Sequence, residues 1–231
     1  MYILPKMNVL FLIYLLTVIS PSYAIDSQSQ LKSTLLHTYQ DQRKTFLCEQ
    51  PFTQKGKVNL KYCQRCPKIE SNIQWMPVVS HQQLANQLNC FNNKICINKQ
   101  NKTFKGLKCC FEHDTNYRKA SLDLHNFVPE LSYIKQQRRH FSFGTISGKA
   151  DRTTDCTVHV DTKAKVIHTP KNVRGMVARA YLYMRKEYYL HLSDEEVALY
   201  QMWHREYPAS SWEKVRNEKI FAIQGNRNPY V

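Results

Sequence analysis

Residues 173–184 read VRGMVARAYLYM, a stretch whose apolar positions recur every three or four residues. The apolar stripe consists of Val173, Met176, Val177, Ala180, Tyr181 and Met184. Arg174 and Arg185 fall outside it. Because residues three and four apart share one face of a helix, the pattern predicts an amphipathic helix packed against a core.

Two more helices are predicted after this one. Ser193-x-x-Glu196 and Ser210-x-x-Glu213 are capping boxes, in which serine and glutamate satisfy free backbone N–H groups at a helix start. Gly225 stands where a glycine in the left-handed conformation closes a helix. The C-terminal part of the chain is therefore predicted to be helical.

The remainder of the chain mixes helical and extended patterns. Leucines at helical spacing predict a short helix within residues 25–45, and Val58-Asn-Leu60 alternates like a strand. Residues 92–108, NNKICINKQNKTFKGLK, read as a polar, basic loop. Residues 114–126, DTNYRKASLDLHN, have a helical pattern behind a good cap in Asp114.

The N-terminus has the features of a secretory signal. A lysine precedes the apolar run 9–19, and small residues stand at the −3 and −1 positions of a cleavage site after Ala24. A membrane anchor would need about 20 apolar residues, and this run is shorter. We therefore predict a signal peptide at 1–24 and a single soluble domain at 25–231, exported to the periplasm or secreted.

Eight cysteines lie in the exported part, where thiols tend to pair. They are Cys48, Cys63, Cys66, Cys90, Cys96, Cys109, Cys110 and Cys156. Their even number allows up to four disulfides, whose connectivity the sequence leaves open. Cys63-x-x-Cys66 and Cys109-Cys110 also suggest zinc ligation, but export favours disulfides over a zinc site.

The chain is strongly basic, with 33 Lys and Arg against 18 Asp and Glu and a formal net charge of +15. Such a field on a small exported domain suits a polyanionic partner, which means nucleic acid, anionic lipid or acidic polysaccharide. A merely soluble basic surface is the alternative. Charge alone does not choose between them.

Four blocks of sequence, in the same order, resemble the bacterial endonuclease I family. They are DLHNFVPE (123–130), VRGMVARAYLYM (173–184), YPASSWE (207–213) and IQGNRNPYV (223–231). The resemblance implies an α+β, disulfide-stabilised fold with a ββα-metal (His-Me finger) core and a helical C-terminal half. It also implies a periplasmic or secreted nuclease that cuts DNA, and often RNA, with little sequence preference. We predict that the protein is a monomer.

The resemblance also implies a reaction. In the family a His at the end of a strand acts as general base on water, while a Glu beside it and an Asn hold one Mg²⁺. The Asn matches Asn126. The Glu and His positions match Met76 and Pro77, within IQWMPVV at 73–79. A thioether is a poor Mg²⁺ ligand and proline accepts no proton, so this strand is predicted to have lost its chemistry.

Other histidines could replace the missing base. His113 follows a glutamate, but a continuous helix from residue 114 would hold it about 20 Å from Asn126. His81 lies four residues beyond the emptied position and reaches the site only if the strand bends. His125 points about 100° away from Asn126 on a helix, which favours a packing role.

Three functions remain open from the sequence. The first is a nucleic-acid-binding protein whose cleavage is reduced or absent, with Arg138, Arg174, Arg179 and Arg216 predicted to contact phosphates. The second is an active, Mg²⁺-dependent nonspecific endonuclease with a rearranged site. The third is a protein-interaction module on a nuclease fold.

Overall fold

The protein has a mixed α/β architecture. The computed structural model describes residues 25–58, 72–149 and 156–231. The predicted signal peptide, most of the predicted strand at 58–60, and Cys63 and Cys66 lie outside these ranges. Those predictions stay untested.

Helices account for most of the regular structure of the described residues. The helices are α1 Gln28–Thr38, α2 His81–Ala85, α3 Asn89–Asn92, α4 Leu107–His113, α5 Thr115–Leu122, α6 Ser132–Arg138, α7 Lys171–Tyr188, α8 Asp194–Glu206 and α9 Ser211–Gln224. The strands are β1 Ile73–Pro77, β2 Cys96–Ile97, β3 Thr103–Phe104, β4 Phe127–Leu131, β5 Ser142–Gly144, β6 Val160–Asp161 and β7 Val166–His168. Strand β7 pairs parallel to β5 and antiparallel to β6.

Strands β1 and β4 form an antiparallel pair in the main core. Their register places Met76 opposite Val128 and Pro77 opposite Phe127. Every residue of β4 is buried. The chain between the two strands holds α2 to α5 and the β2–β3 hairpin, and it has a small core of its own built around its cysteines.

The three predicted C-terminal helices are confirmed. The apolar stripe of α7 is largely buried, and Ser193 and Ser210 accept hydrogen bonds from the backbone at the starts of α8 and α9. Gly225 closes α9 with φ of +82°. Gly175 lets α7 approach the end of α8, because a Cβ added there would lie 2.2 Å from the backbone oxygen of Tyr207.

The segment predicted as a loop at 92–108 is more ordered than expected. It holds β2, β3 and the first residues of α4. The Asn98 side chain accepts from the backbone N–H groups of Gln100 and Lys102, and Asn101 adopts φ of +58°. Asparagine tolerates the left-handed conformation that closes a three-residue hairpin turn, which explains the hairpin.

The helix predicted at 114–126 is interrupted. Asp114 caps α5 as expected, by accepting from the N–H of Tyr117. The helix ends at Leu122, however, and Asp123 caps a separate 3₁₀ turn, Leu124–Asn126. Aspartate readily accepts from a nearby backbone N–H, so it ends one helix and starts another turn.

Disulfides are confirmed for four of the cysteines. Cys90 is bonded to Cys110 and Cys96 to Cys109, so Cys109-Cys110 takes part in disulfides. Within the described ranges no three His, Cys, Asp or Glu side chains are grouped as a metal site would require.

Cys48 and Cys156 differ from the prediction because their thiols are free and buried. A hydrogen bond with Cys156, together with burial, raises the pKa of the Cys48 thiol. The two sulfurs are therefore close but unbonded.

No helix in the part of the chain that the structure describes is long and apolar enough to cross a bilayer.

Candidate functional site

The strand predicted to have lost its chemistry lies inside the protein. The Met76 side chain is fully buried, and Pro77 is half-buried at the end of β1. Val78 and Val79, which follow, are also fully buried. The thioether of Met76 thus belongs to the apolar core.

The structure brings Asn126 to the end of this strand. Its Oδ1 accepts from the N–H of Val79 at 2.7 Å, and its Nδ2 donates to the carbonyl of Val79 at 2.9 Å. The N–H of Val78 donates to the Asn126 carbonyl at 2.7 Å. The side chain is fully buried, so its amide joins the 3₁₀ turn to the strand end.

Arg138 reinforces the same strand end from α6. Its guanidinium donates to the carbonyls of Pro77 and Val78 and lies 4.7 Å from the ring centre of Phe143. The side chain is 1% exposed. Arg138 therefore holds the backbone in place instead of meeting a phosphate as predicted.

His81 is the histidine that lies nearest in sequence to the emptied strand. It begins α2, which Ser80 and Gln83 start with a capping box, and its ring centre is 6.0 Å from that of Phe127. Burial and then the charge of Lys135 lower its pKa to about 4, so the ring is neutral at pH 7. Within the described residues its buried Nε2 has no hydrogen-bond partner.

The other two candidate histidines differ in exposure. His125 is buried in the 3₁₀ turn, where its Nε2 lies 3.2 Å from the Asn226 carbonyl and its ring contacts Tyr183. Burial lowers its pKa to about 4. His113 is exposed at the end of α4, and the whole of α5, about 12 Å long, lies between it and Asp123.

Two buried carboxylates near these elements were not singled out from the sequence. Asp123 accepts at 2.6 Å from the hydroxyls of both Tyr183 and Tyr188. Glu130 accepts from the N–H groups of Leu47 and Leu131, while burial raises its pKa to about 7. The sequence predicts that Asp123 lies within a continuous helix, and no local pattern indicates that Glu130 is buried.

These residues do not fit a Mg²⁺ ion. Magnesium requires a near-octahedral shell of hard oxygen ligands. Met76 offers sulfur, Pro77 offers no side-chain donor, and the Asn126 oxygen already accepts a hydrogen bond. The carboxylates of Asp123 and Glu130 already accept hydrogen bonds from protein donors.

The other three arginines predicted to contact phosphates are also buried. Arg179 forms an ion pair with Glu213, its Nη2 lying 2.6 Å from a carboxylate oxygen. Arg216 donates to backbone carbonyls of the 3₁₀ turn and of the first residue of β4. Arg174 donates to the Thr169 carbonyl at 3.0 Å. The phosphate-contact prediction is thus corrected for all four arginines, because internal acceptors occupy them.

A cavity of about 700 Å³ lies away from this site. Its lining includes Tyr39, Pro129, Arg179, Tyr207 and Trp212, but none of Met76, Pro77, His81 or Asn126. This cavity therefore does not mark the reacting position suggested by the family resemblance.

Comparison with known proteins agrees with that resemblance. The family model described as Endonuclease I matches residues 25–231. An extracellular deoxyribonuclease of Aeromonas hydrophila is 32% identical over 94% of this chain and 93% of its own length. A periplasmic deoxyribonuclease of the same species is 31% identical over 94% and 90%. Endonuclease-1 of Buchnera aphidicola subsp. Acyrthosiphon pisum is 33% identical over 77% and 68%.

The localisation prediction is confirmed. The protein is exported, to the periplasm or out of the cell, as its extracellular and periplasmic relatives and its disulfides indicate.

Proposed function

Because the chain belongs to the endonuclease I family, we propose that it is an exported nucleic-acid-binding protein whose phosphodiester cleavage is reduced or absent. Strands β1 and β4 with the 3₁₀ turn would represent its His-Me finger core. The domain would span residues 25–231 after removal of a signal peptide and act as a monomer. Its ligand would be DNA, with RNA as a second ligand, bound without sequence preference.

One observation carries the loss of cleavage. Met76 is sealed in the core, and the Asn126 amide is bonded to the backbone of Val79. Hydrolysis of a phosphodiester by this family's mechanism needs a positioned base and a cation that neutralises the developing charge. At this strand end, no residue at position 76 or 77 can act as the base, and none can bind the cation.

Binding is supported by charge and by family. The net charge of +15 favours contact with a phosphate backbone, and the relatives are named deoxyribonucleases and endonucleases. Loss of cleavage does not remove this attraction, because it depends on surface cations and not on the catalytic pair.

Two measurements on the oxidised mature protein test the proposal. In a plasmid-nicking assay with Mg²⁺ or Mn²⁺, an active relative should cut, and this protein should cut at least about 10²-fold more slowly. Binding to duplex DNA should weaken steeply as salt rises. Nicking at the relative's rate would refute the loss of cleavage. Absence of binding at low salt would refute the nucleic-acid function and favour the interaction module.

A rearranged endonuclease is the second candidate, and His81 is the observation that favours it. Its neutral ring and unpartnered Nε2 suit a general base. If the parent nicks DNA, His81→Gln should remove the activity, whereas His113→Gln should not. Equal activity of the parent and His81→Gln would exclude His81 as the base.

A further inference from the structure

The proposed function requires a surface that binds phosphates. Because the four predicted arginines are buried, other residues must form it. The segment from Cys90 to Cys110 offers the clearest replacement; we call it the stapled hairpin. Its five lysines, at 94, 99, 102, 105 and 108, are all exposed. The sequence contains no acidic residue between Glu70 and Glu112, and of the five lysines Lys108 lies 3.9 Å from the Glu112 carboxylate.

The stapled hairpin also exposes apolar side chains. Ile95 is 49% exposed, Ile97 65% and Leu107 39%. They make up three of the seven large apolar side chains that are exposed in the described ranges. Cys96 is buried, whereas Ile95, just before β2, and Ile97, within it, are exposed, so the two isoleucines lie on the outer face of this segment.

The hairpin is rigid enough to present this face. One disulfide joins β2 to α4 through Cys96 and Cys109, and a second joins α3 to α4 through Cys90 and Cys110. The turn is closed by the bond from the N–H of Asn98 to the Lys102 carbonyl at 3.0 Å. A two-stranded ribbon fits the major groove of DNA, which is about 12 Å wide.

We infer that the stapled hairpin is the principal DNA-binding surface of this protein, with its lysines on the phosphates and Ile95 and Ile97 against the groove. This inference rests on the proposed function. Charge complementarity carries it, because each lysine that neutralises a phosphate releases a condensed counterion. An anionic membrane fits less well, because the apolar face is small and the segment contains neither Trp nor Tyr.

The decisive comparison uses two charge-matched triple variants. Lys94→Gln/Lys99→Gln/Lys102→Gln alters the hairpin, and Lys163→Gln/Lys186→Gln/Lys214→Gln removes the same charge from exposed positions elsewhere. Binding to a duplex of about 20 base pairs is measured by fluorescence anisotropy between about 50 and 200 mM salt. Unchanged thermal melting of each variant shows that the fold is retained.

The hairpin variant should lose about 2.7 from the magnitude of its log–log salt slope, and affinity on the order of 10²-fold at 0.1 M salt. The control variant should lose much less. Equal losses in the two variants would overturn the inference while leaving the proposed function intact. A parent that does not bind would instead refute the proposed function.

A second comparison tests the apolar face and the choice of partner. Ile97→Thr should weaken DNA binding by about fivefold, since part of an isoleucine side chain loses its buried contact, and should leave the salt slope unchanged. Parent protein should bind vesicles of anionic phosphatidylglycerol more weakly than DNA. Tighter vesicle binding that Ile97→Thr abolishes would replace DNA with a membrane as the partner of this surface.

Discussion

The β1–β4 pair and the stapled hairpin differ in the exposure of the residues that we discuss for function. At the strand pair, Met76, Asn126 and Arg138 are buried and bonded within the protein. At the hairpin, lysines and isoleucines are exposed and held by disulfides. Under the proposed function, the strand pair has lost the reaction, and the stapled hairpin provides the binding surface.

The largest effect is expected from returning the family's Glu and His to β1. Met76→Glu with Pro77→His returns a hard oxygen ligand and a base to the strand end. We expect Mg²⁺-dependent plasmid nicking about 10²–10⁴-fold above the parent. Asn126→Ala in the same background should abolish the gain, and each single substitution should give little. Nicking by the parent that survives changes at 76 and 77 would contradict the prediction.

The second prediction separates buried from exposed arginines. Arg179→Met leaves Glu213 buried without its partner, which should lower the free energy of unfolding by about 3–5 kcal/mol. Arg185→Met, exposed on the same helix, should change it by less than about 0.5 kcal/mol. Urea unfolding measures both. Equal effects would mean that Arg179 is not an internal structural residue.

The third prediction concerns the disulfide that holds the hairpin. Cys96→Ala/Cys109→Ala opens a loop of 13 residues and should cost about 3 kcal/mol. DNA affinity should fall in parallel, because the lysines lose their fixed spacing. Cys48→Ala, at a free thiol away from the hairpin, serves as the control for DNA affinity. If the double variant retains full affinity, the hairpin does not need its fixed shape to bind.

The last prediction concerns how the stability of the protein changes with pH. Burial raises the Glu130 pKa to about 7, so between its ordinary value of 4.5 and pH 7 the folded state holds a proton that the unfolded state has lost. Stability therefore falls with rising pH across that window, by about 1.4 kcal/mol per unit for this group. Glu130→Gln should remove this contribution of Glu130 to the pH dependence of stability.

The histidines act in the opposite direction. Lowered pKa values of about 4 for His81 and His125 make stability rise from pH 4 to their ordinary value of 6.5. Unfolding measured from pH 4.5 to 6.5 should therefore show a steeper rise in stability for Glu130→Gln than for the parent. An identical slope would contradict a raised Glu130 pKa.

Local signals predicted local structure well. Ser193, Ser210, Asp114 and Gly225 each act at the helix end where they were expected, because a cap depends only on neighbouring backbone groups. The break at Asp123 was missed because its carboxylate is also bonded by Tyr183, which lies 60 residues away. Likewise, the polar and basic composition of residues 92–108 predicted a loop and gave no sign of the hairpin turn at Asn98.

The sequence by itself determined the family and the basic charge. It also indicated that cysteines form disulfides in an exported protein and that Met76 and Pro77 replace a Glu-His pair. Only the tertiary structure decided which cations face solvent. Arg174 and Arg179 lie outside the apolar stripe of α7, yet other segments cover them and supply acceptors at Thr169 and Glu213. Whether a guanidinium is buried depends on those distant acceptors, because an unpaired buried charge is too costly, and no local sequence pattern records them.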